Sequence, residues 1–323
     1  MSDQKLGEAG FSLRQNAVRG EIVKRVLILF FTLIMFIFSN EIQITYARFI
    51  EAEQVSHYLN MTEGYIRKTE IENWIGSLPL PDESSIKLQV TDKITFVAGD
   101  AGITETELSD YTTIIKEISL PTLKDKLKLL PVKKVTITLF TTSESYGQAL
   151  LGAGIASSDV TTIVKSSGGI TLNSSIWIPL YNLEGKDEIT NALTHELTHV
   201  TLNQAGVASK LPLWLNEGTA WVTGLAAHEV ADSFQAKVET VALRESIQNL
   251  AEKGELLPLD NTEQSLYYLE AQGFLATDAL IKKYGLETFQ EFLNQTRNND
   301  VEYSFEQTFK LPLYEYEKSS KRE

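Results

Sequence analysis

One short segment of the chain carries residues that could do chemistry together: residues 195–199 read His-Glu-Leu-Thr-His. On an α-helix, positions i and i+4 lie one above the other on one face, so His195 and His199 can reach the same metal ion. Glu196 lies about 100° around the helix from His195, near enough to reach a water on that ion without binding it. The segment predicts a zinc site with His195 and His199 as ligands and Glu196 as the catalytic base.

The residues around this segment favour a metal site over an incidental histidine pair. The pattern H-E-x-x-H arises by chance in roughly one chain in several hundred, so its surroundings matter. A buried helix that carries two histidines and a glutamate loses free energy by desolvation unless these groups are paired. The neighbouring positions are uncharged, which is typical of a buried helix: Ala192, Leu193, Thr194, Leu197, Thr198 and Val200.

A catalytic zinc ion takes three protein ligands and keeps one position open. No third histidine follows at short spacing, but Glu217 follows eighteen residues after His199. Pro212 suits the start of a helix, and the residues between leave room for a second helix to turn back across the first. We therefore predict Glu217 as the third ligand; the alternative is a solvated carboxylate on a helix surface.

The other two histidines are not predicted to bind the ion. His228 lies eleven residues after Glu217, which is about 16 Å along a continuous helix. One ion cannot bind both residues unless the helix breaks at Gly224, so we predict His228 to be a surface residue or a substrate contact. His57 lies in a polar helical segment, and we predict it to be exposed.

The sequence patterns around these residues predict an α+β fold, with a small, mainly antiparallel N-terminal sheet and a helical C-terminal half that position the site. Alternating and β-branched segments predict the strands, which are Ile86–Val90, Ile94–Val97, Lys134–Phe140, Thr161–Val164 and Ser175–Ile178. Helical periodicity and end signals predict the helices, which are Glu105–Ile118, Ser143–Leu151, Asp187–Gln204, Leu213–Ala227, Ala231–Lys253, Glu263–Tyr284 and Leu286–Asn294.

Composition narrows the class of protein further. The chain has 323 residues, of which 43% are hydrophobic and 22% charged, as expected for a folded protein with a real core. It has no cysteine, which excludes disulfides, thiolate zinc sites and cysteine nucleophiles. The net charge of −14 disfavours binding to phosphate backbones, so we expect no nucleic-acid partner.

The N-terminal region predicts attachment to a membrane. Residues 26–38 are apolar except for Thr32, and Lys24 and Arg25 precede them. We predict a cytoplasmic leader over residues 1–25 and a membrane anchor over 26–44, with the rest of the chain outside the cytoplasm. The apolar run is short for a span of about 20 residues, so a cleaved signal peptide and a secreted protein are the alternative. Residues 48–82 are predicted to form a helical stalk.

The two motifs resemble those of a known group of enzymes. The segment His-Glu-Leu-Thr-His, followed by Trp-Leu-Asn-Glu-Gly-Thr-Ala at 214–220, is similar to the gluzincins, zinc metallopeptidases of the MA clan, and most of all to their small bacterial members. The resemblance covers roughly residues 85–315 and implies a zincin-like domain that hydrolyses peptides or proteins. It implies that His195, His199 and Glu217 hold zinc and that Glu196 is the base.

A third segment shares the resemblance with one departure. Residues 270–285 are similar to a helix of these peptidases, but Glu270 stands where the family usually has tyrosine. Tyr267 and Tyr268 lie nearby, and either is a candidate to stabilise the oxyanion, with core packing as the alternative. The chain lacks the G-x-M-x-N segment that zinc aminopeptidases use near the substrate amine, which favours an endopeptidase. We expect the strand at Ser175–Ile178 to pair with the substrate backbone.

The sequence therefore leads to three functional hypotheses. The first is a membrane-anchored, extracytoplasmic zinc metallopeptidase with Glu196 as general base. The second is a catalytically inactive zinc-binding envelope module that binds a protein partner, which the replaced tyrosine at Glu270 favours. The third is a ligand-binding domain in which the histidine motif is fortuitous and no metal binds.

Overall fold

The structure is a computed structural model that describes residues 85–260 and 266–319. The predicted leader, the anchor at 26–44, the stalk at 48–82 and His57 lie outside these residues. Within the described ranges, no helix is both long enough and apolar enough to cross a membrane.

The described residues form an α+β fold in which helices predominate around one small sheet. Its strands are β1 (Lys87–Gln89), β2 (Ile94–Ala98), β3 (Val135–Phe140), β4 (Ile170–Leu172) and β5 (Ser175–Pro179). They lie in the order β1-β2-β3-β5-β4. Four of the five predicted strands are confirmed to within a few residues, and β4 was not predicted.

The prediction of a mainly antiparallel sheet is wrong, because the sheet is mixed. The short connections between β1 and β2 and between β4 and β5 give antiparallel pairs. The pairs β2–β3 and β3–β5 are parallel. The chain between the strands of each parallel pair contains helices that carry it back across the sheet, so the next strand runs in the same direction.

The first half of the domain also contains helices that cover the sheet. These are α1 (Glu105–Thr113), continued by a π-helical segment (Ile114–Ser119) and by α2 (Leu120–Leu127), then α3 (Ser143–Gly152) and α4 (Ser157–Ser166). A capping box starts α1: the Thr104 hydroxyl accepts from the Glu107 N–H, and the Glu107 carboxylate accepts from the Thr104 N–H.

The predicted strand at Thr161–Val164 is wrong, since these residues lie in α4. Their β-branched side chains suggested a strand. Val160, Ile163 and Val164 are spaced by three and four residues, however, and so share one face of a helix. That face packs against a cluster with Tyr146 and Leu150, and this tertiary contact outweighs the local preference.

The second half is helical, as predicted. Its helices are α5 (Gly185–Gln204), α6 (Leu213–Ala231), α7 (Ser233–Lys253), α8 (Leu266–Tyr284), α9 (Leu286–Thr296), α10 (Val301–Phe309) and α11 (Leu313–Ser319). The sequence did not predict α10 and α11. The predicted start of α8 at Glu263 falls in the range 261–265, outside the described residues.

Both faces of the sheet are buried, and one of them fixes the helix with the histidine motif. Ile137 of β3 and Ile178 of β5 belong to the same buried cluster as Leu193 and Leu197 of α5. On the opposite face, Phe140 and Trp177 pack against Tyr146 and Leu150. Because packed interiors resist displacement, α5 is a rigid support for the side chains on its other face.

Candidate metal centre

The structure brings together the three predicted metal ligands. His195 and His199 project from α5, and their Nε2 atoms are 3.1 Å apart. Glu217 reaches them from α6, with its Oε2 atom 3.6 Å from Nε2 of His195 and 3.3 Å from Nε2 of His199. All three donor atoms lie within 4.8 Å of one another. We call this arrangement the ligand triangle.

The dimensions of the ligand triangle fit a zinc ion. Zinc bonds of about 2.0–2.1 Å at tetrahedral angles place two ligand atoms about 3.3 Å apart. The three observed separations are 3.1, 3.3 and 3.6 Å. The side chains are 13–14% exposed, so solvent reaches the triangle. Two imidazoles and one carboxylate with an accessible position form a possible metal site whose donor set is compatible with zinc.

The electrostatics of the triangle favour a positive charge at its centre. Burial raises the pKa of Glu217, but the two histidines outweigh burial and hold this pKa far below its ordinary value. Burial lowers the pKa of His199, but the Glu217 carboxylate outweighs it and raises the pKa to about 9. The carboxylate therefore attracts a cation to the histidine nitrogens, and a divalent metal ion satisfies the same attraction more strongly.

Close helix packing at a glycine sets the distance between the two ligand-bearing helices. A Cβ atom added to Gly224 of α6 would lie 2.3 Å from Oδ1 of Asn191 and 3.3 Å from Cβ of His195. A larger side chain here would overlap the Asn191 amide and press against the backbone of α5 one turn before His195. The lack of a side chain at this position lets α6 approach α5 closely enough for Glu217 to complete the triangle.

A second glycine contact supports the part of α6 that carries Glu217. A Cβ atom on Gly218 would lie 2.1 Å from the carbonyl oxygen of Gly273, and a Cβ on Gly273 would lie 2.3 Å from that of Trp214. The backbones of α6 and α8 are therefore in direct contact. Residues on α8 near Gly273 consequently lie close to the metal ligands.

Glu196 is buried beside the triangle and is not one of its members. The Thr171 hydroxyl lies within hydrogen-bond distance of Oε2 of Glu196, at 2.6 Å, and of the Glu196 carbonyl oxygen, at 3.1 Å. Gly169 leaves room for the glutamate, since a Cβ there would lie 2.7 Å from Cγ of Glu196. The candidate base is thus held by β4, a strand that the sequence did not predict.

The strand that was predicted to pair with a substrate is not an edge strand of the sheet. β5, which contains Ser175–Ile178, pairs with β3 on one side and β4 on the other. The prediction that this strand adds the substrate backbone is therefore wrong, because its hydrogen-bonding groups are already used. Within the described residues the edge strand nearest Glu196 is β4.

Of the two tyrosines predicted as oxyanion-stabilising candidates, the structure describes the side chain of Tyr268 alone. Tyr268 is partly buried and packs against an apolar cluster between α6, α7 and α8 that includes Leu225, Leu243 and Phe274. The side chain of Tyr267 lies outside the described residues. An oxyanion role for either tyrosine stays a prediction.

Glu270 is a further acidic group of this site that the sequence marked only as a departure from a family pattern. Its Oε2 atom accepts a hydrogen bond from Nε1 of Trp221 at 3.0 Å. The Trp221 ring meets the His195 ring edge to face, with ring centroids 5.4 Å apart. Burial, followed by the negative charge of Glu217, raises the pKa of Glu270 to about 8.

His228 is neither a surface residue nor a substrate contact, so that prediction is wrong. It is 2% exposed. Its Nδ1 atom is 2.8 Å from Oε2 of Glu239 and its Nε2 atom is 3.0 Å from Oδ2 of Asp187. Burial lowers the pKa of His228, but the two carboxylates outweigh burial and raise it above 6.5. His228 therefore joins α5, α6 and α7 in an ion-pair network, and these partners are too distant in sequence for the pattern to reveal them.

Comparison with known proteins gives no family for this chain. No protein-family model matches it, and no curated protein matches it. The resemblance to the gluzincins consequently rests on the sequence motifs at 195–199 and 214–220.

Proposed function

We propose that this protein is a zinc metallopeptidase of the gluzincin type, anchored in the membrane with its catalytic domain outside the cytoplasm. One observation carries the proposal: His195, His199 and Glu217 present donor atoms at 3.1–3.6 Å from one another. Glu196, the residue next to the first ligand, is held beside this triangle without joining it. A metal site that only stabilises the fold does not require such a carboxylate.

The proposed reaction is hydrolysis of a peptide bond. When bound, zinc supplies Lewis-acid chemistry, since it polarises a carbonyl and lowers the pKa of water to about 7. Glu196 accepts a proton as the water oxygen bonds to the carbonyl carbon. It then delivers this proton to the leaving nitrogen as the C–N bond breaks. The products are one carboxylate and one amine, and Glu196 returns to its starting form.

Two contacts of Glu196 support its role as base. The hydrogen bond from Thr171 orients the carboxylate through Oε2, which leaves Oε1 to accept the proton. Because Thr171 lies in β4, the edge strand and the base form one unit. We propose that an extended substrate adds to this edge of the sheet, in the way that peptide-binding sheets accept an extra strand.

A second candidate function is a zinc-binding module that binds a protein partner without cleaving it. The specific observation that favours this alternative is Glu270, which stands in place of the tyrosine usual in the family. An acidic side chain at that position cannot donate a hydrogen bond to an oxyanion while it is ionised.

Glu196→Gln separates the two candidates. The substitution keeps the shape and removes the basic carboxylate, so peptide hydrolysis is expected to fall by a factor of about 10²–10⁴ while zinc content is unchanged. Cleavage is measured by mass spectrometry of a mixed peptide library incubated with the full chain. Glu245→Gln, on an exposed position of α7, is the control and is expected to cleave like the wild type. A wild type that binds zinc and cleaves no peptide contradicts the peptidase proposal and favours the binding module.

A further inference from the structure

The charges around the ligand triangle do not balance when one divalent ion is bound. Three carboxylates, Glu196, Glu217 and Glu270, each interact electrostatically with His199, and Glu270 also interacts with the other two. In the part of the chain that the structure describes, lysine and arginine form their ion pairs elsewhere, with Asp125 and Asp278. When all three carboxylates are ionised, a divalent ion offsets two of their three negative charges. One negative charge therefore remains close to the metal site.

The position of Glu270 makes it the group that carries this remaining charge. Glu217 is a ligand in the triangle, and Glu196 is held by Thr171 as the candidate base. Glu270 belongs to neither arrangement and comes from a different helix, α8. Among the residues of the described ranges, the group that could hold a metal ion does not include it.

Trp221 places the Glu270 carboxylate on the same side of the site as the first histidine ligand. Trp221 lies one helical turn after Glu217 on α6, so both side chains share a face. Its indole N–H donates to Oε2 of Glu270 at 3.0 Å, and its ring contacts His195. Glu270 is only partly buried, so a bound molecule can reach it. The carboxylate is thus held by Trp221, whose ring contacts the first histidine ligand.

An ionised carboxylate in such surroundings loses much of its hydration and is stabilised by any cation that contacts it. A metal ion at the triangle and an ammonium group beside Glu270 each favour the ionised form of Glu270. A peptide offers an ammonium group from two sources, its free N-terminus or the side chain of a lysine.

We propose that Glu270 is a specificity-determining residue that binds an ammonium group of the substrate next to the bond that is cleaved. This inference rests on the proposed peptidase function and names the class of substrate for that same site. In place of the family's tyrosine, which donates a hydrogen bond, this chain has a carboxylate that can bind a cation.

The test compares three zinc-binding probes that differ in whether, and where, they carry an ammonium group. Leucine hydroxamate carries a free α-amine, N-acetyl-leucine hydroxamate carries none, and Nα-acetyl-lysine hydroxamate carries a side-chain amine. Affinities for the zinc-loaded full chain are measured by titration calorimetry. We expect the wild type to bind one of the two amine probes about tenfold or more tightly than N-acetyl-leucine hydroxamate. The probe that is preferred identifies the source of the ammonium group.

Glu270→Gln should remove this preference and leave the affinity for N-acetyl-leucine hydroxamate within about threefold of the wild type, since the uncharged probe does not use the carboxylate. Glu270→Ala is a second variant that removes the charge. Glu317→Gln is the matched control: Glu317 also accepts a hydrogen bond from a tryptophan, Trp214, at 2.9 Å. Because Glu317 takes no part in the metal site, this control should keep the preference of the wild type.

Zinc content, measured for every protein, separates failure of the inference from failure of the proposed function. Zinc-loaded wild type that binds all three hydroxamates equally overturns the inference alone. A preference that persists in both Glu270 variants overturns it as well. A wild type that binds neither zinc nor any hydroxamate overturns the proposed function, and the inference falls with it.

Discussion

The contact between α5 and α6 at Gly224 yields the sharpest prediction about the metal site. The methyl group of Gly224→Ala would lie 2.3 Å from Oδ1 and 3.2 Å from the carbonyl oxygen of Asn191. Asn191 is buried and donates a hydrogen bond to Glu239 at 3.1 Å. The carbonyl oxygen belongs to the backbone of α5 and cannot rotate away. The methyl group must therefore displace the Asn191 amide and shift the two helices apart by a few tenths of an ångström at the level of His195.

The size of the effect follows from two opposing contributions. Overpacking in a core costs about 1–3 kcal/mol. Alanine in place of glycine in a helix stabilises it by about 0.5–1 kcal/mol. The net loss is about 0–2.5 kcal/mol, which for a domain of this size lowers Tm by up to about 10 °C. Since His195 and Glu217 lie on the two separating helices, zinc affinity should fall by about 10–100-fold, as for other residues that orient metal ligands.

The assay is thermal unfolding by circular dichroism, together with zinc competition against a chelator of known affinity. Gly147→Ala in α3 is the matched control, because its Cβ would meet only Val164 and Val160, at 3.4 and 3.7 Å. The control should keep the zinc affinity of the wild type and its Tm should stay equal or rise slightly. A Gly224→Ala protein with wild-type Tm and zinc affinity would refute the proposed role of this contact.

Three further predictions concern the groups around the triangle. Thr171→Val removes the hydroxyl that holds Glu196, so kcat should fall about tenfold or more with little change in KM. Thr171→Ser keeps the hydroxyl and should retain activity. Equal rates in the two variants contradict a positioning role for Thr171. His228→Gln should lower the free energy of unfolding by about 1–3 kcal/mol. The raised pKa of His228 means that its ion pairs stabilise the fold fully below pH 6.5 and progressively less above it. Urea denaturation should therefore show that His228→Gln loses more unfolding free energy at pH 6 than at pH 9. An equal loss at both pH values contradicts this reasoning. Because the pKa of Glu270 is raised from 4.5 to about 8, the zinc-free protein should become less stable as pH rises through that interval. Urea denaturation at pH 5 and pH 8 measures this decrease in unfolding free energy, which should be smaller in Glu270→Gln than in the wild type. An equal decrease in both proteins excludes Glu270 as the cause.

The parts of the site that depend on local helix geometry could be predicted from the sequence. The i and i+4 spacing fixes His195 and His199 on one face of any helix, and the structure places them so. The position of Glu217 followed from the need for a third ligand and from a proline-initiated helix after a short loop. The helices α5 to α9 were also recognisable, because each has its own periodicity and end signals.

The parts that depend on contacts distant in sequence were not readable. Thr171 meets Glu196 across 25 residues, from a three-residue strand too short to show a pattern. Glu270 reaches the site only because Gly218 and Gly273 let α6 and α8 touch. The parallel pairs of the sheet depend on where the crossover helices pack, and His228 depends on partners from two other helices. None of these relations has a local signature.

The most direct test of the central proposal is the zinc content of the full chain, wild type beside Glu217→Ala, measured by native mass spectrometry after reconstitution with zinc. We expect one zinc ion per wild-type chain, and its loss or a much weaker affinity in Glu217→Ala, because the triangle loses its only carboxylate ligand. A wild type that holds no zinc after reconstitution, or a Glu217→Ala protein that binds it as tightly, would contradict the three-ligand site on which the proposed function rests.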